Sequence, residues 1–174
     1  MTRRLAVLSV AVVGLLSTAA LSSCSSFEER SNVASVGDSE LDQDEFESIS
    51  RNPYIASQSQ EIVDDTVTGD TARGIITRWV VATALADGGF LDTLTDEDAV
   101  AWLDASGVAG WDTGDDAVPF LLDYAKFNLA VQQGSLGAEA EEYLQSADVF
   151  VASRYGEWDN STGVLPLGDS AQAG

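Results

Sequence analysis

Between Phe120 and Val131 only Asp123, Lys126 and Asn128 are polar, and the other nine of these twelve residues are apolar. A helix with so thin a polar stripe needs neighbours on most of its sides. The pattern predicts a central helix that starts at Asp115 or Asp116 and carries Pro119 in its first turn, where a missing N–H is tolerated. Gly134 supplies its stop. The rest of the chain must then provide apolar faces to cover it.

Three other helices answer that need. Asp70 is placed to cap one running to about Asp87, with Ile75, Ile76, Trp79, Val80 and Thr83 at helical spacing on one face. Gly88 and Gly89 end it. Thr95 and Asp98 form a capping-box pair ahead of Ala99, Val100, Trp102 and Leu103, and Gly107 closes that helix. A short helix over Ala138–Ala147 holds Tyr143 and Leu144. The stretch from Gly110 to Asp116 reads as a turn-rich loop around Trp111.

The segment Asn32–Ile49, NVASVGDSELDQDEFESI, is the most legible. Val33–Val36 is a short strand, Gly37-Asp38 a two-residue turn and Ser39–Leu41 the return strand. Asp42 is an N-cap, with Asp44 and Glu45 in the first turn where the helix dipole favours carboxylates. Leu41 and Phe46 take the two places of a hydrophobic staple, and Asp42 with Glu45 approaches a capping box. This helix weakens near Asn52, because Pro53 disfavours helical geometry in the residue before it. Val149–Val151 is β-prone and cannot satisfy its backbone groups alone. The only other strand material is the hairpin, so the two are expected to pair. The fold class is therefore mainly α: about five helices with a small antiparallel sheet formed by an N-terminal hairpin and a C-terminal strand.

The first 23 residues are read as a signal and not as part of the fold. Arg3 and Arg4 precede an apolar run, Leu5–Leu16, whose twelve residues are too few to span a bilayer. Leu21-Ser22-Ser23-Cys24 resembles the lipobox of bacterial lipoproteins. That resemblance implies cleavage before Cys24, the chain's one cysteine, and acylation of its sulfur. The paired arginines leave the choice between general and twin-arginine export open. Residues 24–32 form a tether, 33–167 a single domain and 168–174 a tail.

From Cys24 onward lie all 29 acidic residues and six of the eight basic ones, a formal charge of −23. Such a chain is repelled by phosphate backbones, which excludes nucleic acid as a partner. The acids are dispersed along the chain, as a solvated surface requires; attraction to basic client segments or divalent cations is the sharper alternative. The sequence contains no histidine, which removes Ser-His-Asp and Cys-His nucleophiles and most zinc sites. No spacing singles out one carboxylate pair for glycoside hydrolysis. The segment from Asp64, DDTVTGDTARGI, has a glycine at the sixth position of a calcium loop but lacks its acidic ligands and ends on Ile75. No metal, cofactor or catalytic residue is expected.

Aromatic residues offer the candidate contacts. Trp79 and Trp102 fall on apolar helical faces and read as core. Trp111 and Trp158 lie in loops, where each either anchors the loop or faces a partner; Tyr155 joins them as a candidate peptide or partner contact.

VASVGDSELDQDEF resembles the start of the SurA-type N-terminal domain of extracytoplasmic foldases: strand, tight turn, return strand, then a capped helix opening acid-acid-Phe. Val36-Gly37-Asp38 stands for the turn, with Gly-Asp where the family usually has Asn-Gly, and Asp44-Glu45-Phe46 for the helix start. DVFVASRYGEWDNSTGVLPL, Asp148–Leu167, is similar to the end of actinobacterial lipoproteins of this group, with Arg154, Tyr155, Gly156, Trp158, Gly163, Val164 and Pro166 in the matching places. The parvulin isomerase domain that some members add usually carries histidines, and with none in the sequence the form without that domain is expected. The resemblance implies a lipid-anchored chaperone on the outer face of the cytoplasmic membrane that binds non-native exported polypeptides without isomerase activity. The alternative is a non-catalytic scaffold or accessory subunit for one specific envelope partner.

Overall fold

Residues 31–58, 62–63, 66–114 and 116–166 are described by the structure, a computed structural model. Cys24, most of the tether and the tail lie outside the described residues. Asn32–Val36 forms β1 and Ser39–Asp42 forms β2, with Ala34 opposite Leu41 and Val36 opposite Ser39. Gly37 turns the chain at φ +56°, a conformation that costs glycine little. β5, Val149–Val151, lies on the other side of β1, with Ser35 opposite Phe150. The sheet order is β2-β1-β5, antiparallel throughout. Pleating puts Ala34, Val36, Leu41, Val149 and Val151 on the inner face and Ser35, Glu40 and Phe150 on the outer one.

The first helix, α1, spans Gln43–Arg51, and its N-cap Asp42 accepts from the Glu45 N–H at 2.8 Å. Phe46 and Ile49 face inward. The chain leaves helical geometry at Asn52, as Pro53 demands, but Pro53 also begins a second helix. This is α2, Pro53–Gln58, which the sequence reading omitted. Asn52 caps it: its Oδ1 accepts from the Tyr54 N–H at 2.9 Å. Proline at the first helical position with Asn before it is a start signal as well as a stop.

Two further strand pairs were also missed, which corrects the expectation that the first hairpin was the only partner material for β5. One is β3 with β4, Ile62–Val63 against Thr66–Val67. The other is β6 with β7, Glu157–Asp159 against Gly163–Leu165.

The long helix α3, Gly69–Asp87, is capped by Thr68 and not by Asp70: Thr68 Oγ1 accepts from the Thr71 N–H at 3.3 Å. Asp70 sits in the first turn and pairs with Arg73. Ile75, Ile76, Trp79 and Val80 are buried as their spacing implied, along with Ala72, Ala82, Ala84 and Leu85. α4, Asp96–Ala105, shows the complete Thr95–Asp98 capping box. α5, Ala117–Gln133, starts after Asp116 and ends at a left-handed Gly134. α6 spans Ala138–Ser146.

The central position predicted for α5 belongs to α3. α3 packs against α1, α5, α6, β1 and β7. α5 packs against α1, α3 and α4, fully burying only Ala117, Phe120, Leu121, Ala125 and Ala130, while Val131 is 54% exposed. Apolar content does not by itself separate enclosed helices from half-covered ones. α3 buries eight side chains along its length, against five for α5.

Among the described residues, buried side chains form two clusters. The larger joins β1, β2, α1–α5 and Val164. The smaller, Leu85, Leu91, Ala130 and Ala140, lies between the C-terminal halves of α3 and α5 and the helix α6. Among the described residues no helix is long and apolar enough to cross a membrane.

Candidate binding surfaces

The aromatic candidates make separate sets of contacts. Trp111 is 9% exposed and donates through Nε1 to Asp104 Oδ1 at 2.9 Å. Its carbonyl accepts from Asn52 Nδ2 at 2.8 Å, and the Thr113 carbonyl accepts from the same amide at 3.0 Å. Of its two alternatives, Trp111 takes the loop anchor.

Tyr155 and Trp158 belong to the C-terminal segment, both partly buried against the larger core. Tyr155 stacks at a tilt on Phe46, with ring centres 5.4 Å apart, and donates through its hydroxyl to Gln43 Oε1 at 3.2 Å. Arg154 donates to the same oxygen at 3.2 Å and to the Asn32 carbonyl at 3.3 Å, and its guanidinium lies 4.8 Å from the Tyr155 ring centre. The Arg-Tyr pair thus ties the end of the chain to the start of β1 and of α1.

The next residue must be glycine. At Gly156, φ is +139°, and a Cβ would lie 1.9 Å from the Leu165 carbonyl oxygen. Trp158 Nε1 donates to Asn160 Oδ1 at 2.6 Å, and Asn160 Nδ2 donates to the Gln145 carbonyl at 2.7 Å. These contacts fasten the β6–β7 hairpin to α6. Asp159 Oδ1 gathers the turn by accepting from the backbone and hydroxyl of Ser161 and of Thr162. The Ser161 hydroxyl leads in holding that carboxyl down to about 2. The run Asn160-Ser161-Thr162-Gly163 between short apolar stretches was the available hairpin signal.

Two half-buried carboxyls are shifted upward. Burial raises Glu45, against a hydrogen bond from the Trp79 side chain, and the charges of Asp42 and Asp116 raise it further. Burial also raises Asp123, against the Lys126 charge. Neither acid is among the groups that shift the other, so they do not make the close pair an acid–base mechanism requires. Among the described residues no group of acids could hold a metal ion.

A cleft of about 560 Å³ lies where the β1–β2 turn meets the ends of α3 and α6. Asp38, Asp87 and Asp148 rim it, and Val36, Ala84, Tyr143 and Ala147 form its apolar wall. Ser39 Oγ donates to Asp87 Oδ2 at 2.9 Å within it. Sequence reasoning did not find this cleft, because its residues come from three distant segments.

No family model, curated protein or solved structure matches the chain.

Proposed function

We propose that the chain is a lipid-anchored, non-catalytic polypeptide-binding protein of the bacterial envelope that helps non-native exported chains to fold. The observation that supports this reading is the β1–β2 hairpin leading into the capped helix α1, the opening on which the SurA-type resemblance rests, closed into one sheet by the C-terminal strand β5. The lipobox at Leu21–Cys24 supports the location, and the lack of histidine supports a role without catalysis. Cys24 carries the lipid in this reading, and the protein acts on the outer face of the cytoplasmic membrane.

Suppression of aggregation of an unfolded client tests it. A molar excess of the chain should reduce light scattering by the client; unchanged scattering overturns the reading. Cys24→Ser should release the protein from the membrane fraction.

A second reading is a scaffold for one specific envelope partner. The clamped C-terminal segment favours it: Arg154, Tyr155 and Trp158 are held in fixed positions by the contacts to Gln43 and Asn160. A surface ordered in advance suits a single partner better than many clients. Crosslinking in cells separates the two, since many adducts fit the folding helper and one stoichiometric adduct fits the scaffold.

A further inference from the structure

The smaller apolar cluster is incompletely covered. Leu85, Leu91, Ala130 and Ala140 are buried, but Phe90, Leu94, Phe127, Leu136 and Leu144 around them are only partly so. Tyr143 and Val131 are 37% and 54% exposed. Phe90 and Tyr143 pair at 5.3 Å between ring centres. They lie directly on Gly88, where a Cβ would come within 2.8 Å of the Phe90 ring and 3.0 Å of Tyr143.

Tyr143 also lines the acid-rimmed cleft, so the apolar surface and the cleft share a wall. The charge around them has one sign. No lysine or arginine occurs from residue 79 to 125 or from 127 to 153, whereas Asp87, Asp92, Glu139, Glu141 and Glu142 do. Lys126 is held by Asp96 at 2.7 Å on α4. The ends of α3 and α6 meet at the cleft with no basic residue in either last turn. Their carbonyl ends add partial negative charge.

We propose that this face docks a polypeptide segment in which a lysine or arginine stands beside apolar side chains. The long methylene stem lies along Tyr143, the cationic head reaches Asp38, Asp87 and Asp148, and the apolar neighbours cover the smaller cluster. This rests on the polypeptide-binding reading and adds the site and the chemistry of the client.

Fluorescence anisotropy of the full chain with two labelled peptides tests it. Both alternate leucine with a charged residue, lysine in one and glutamate in the other. The lysine peptide should bind about tenfold or more tightly than the glutamate peptide, given the size of exposed charge–charge effects. Asp38→Lys with Asp148→Lys should remove that preference, and Tyr143→Asp should weaken the lysine peptide, with circular dichroism confirming the fold of each variant. Equal binding of the two peptides overturns the charge recognition. Unchanged binding by all the variants overturns the site while leaving polypeptide binding intact. If the unmodified chain binds neither peptide but still suppresses aggregation, this proposal falls and the proposed function stands.

Discussion

The Val164 N–H donates to Thr77 Oγ1 at 3.1 Å, so the last strand is pinned to the middle of the long helix α3. Gly163 makes the approach possible: a Cβ there would come within 2.5 Å of the Thr77 side chain. Thr77→Val keeps the shape and removes the acceptor. It should cost about 1–3 kcal/mol by leaving a partly buried N–H unsatisfied, read as a lower midpoint in urea unfolding.

Two glycines should respond in opposite senses to alanine. Gly156→Ala drives a methyl into the Leu165 carbonyl at a positive φ, and a loss of about 3 kcal/mol or more is expected. Gly74 lies inside α3 with nothing within 4 Å of a built Cβ. Gly74→Ala should stabilise by about 0.5–1 kcal/mol through helix propensity and the entropy of the unfolded chain. Melting temperatures of the two variants check both signs.

Asn52 is 2% exposed and makes three hydrogen bonds, two to loop carbonyls and one from the Tyr54 N–H. Asn52→Leu leaves those groups without their partner, and a loss of about 2–4 kcal/mol is expected. The Trp111 loop should loosen first. Tryptophan emission of the folded variant should shift to the red; an unshifted spectrum would disprove the anchoring role.

Stability should peak on the acid side of neutrality. Glu45 is raised above its ordinary 4.5, chiefly by burial, and Asp123 above 3.8 for the same reason. A raised carboxyl binds its proton more tightly in the folded state, so stability falls as pH rises from the ordinary value through the folded one. Acidification from neutrality recovers it and relieves the repulsion of a net charge of −21. Asp159 acts in the other direction. Its folded value of about 2 lies below the ordinary 3.8, so its contribution is present above 3.8 and is lost as pH falls toward 2. Thermal melts should therefore rise from pH 7 into the mildly acidic range and then decline. Glu45→Gln, which keeps an acceptor for Trp79, should flatten the first limb.

Where one short stretch held several agreeing signals, the fold was legible. Gly37, Asp42, Glu45 and Phe46 lie close together in the chain, and each favours the same hairpin followed by the same helix. Thr95 and Asp98 likewise close their capping box within four residues. The pairing of β5 with β1 was reached differently, from the need of an isolated strand for backbone partners. The errors arose where one residue carried two messages or competed with a neighbour. Pro53 was read as a stop and is also a start. Asp70 was chosen as a cap, although Thr68 stands two residues earlier with the extended backbone a cap needs. The cleft bounded by Asp38, Asp87 and Asp148 has no local signature, because only the packing of α3 and α6 against the first turn creates it.

β1 is the middle strand of its sheet, with one partner immediately after it and the other beyond the six described helices. A chain made from its N-terminus can therefore form the hairpin early and still lack its second seam until Val149–Val151 has been made. The sheet is therefore sealed late, and a chain interrupted before Val149–Val151 should leave the free edge of β1 open to proteolysis.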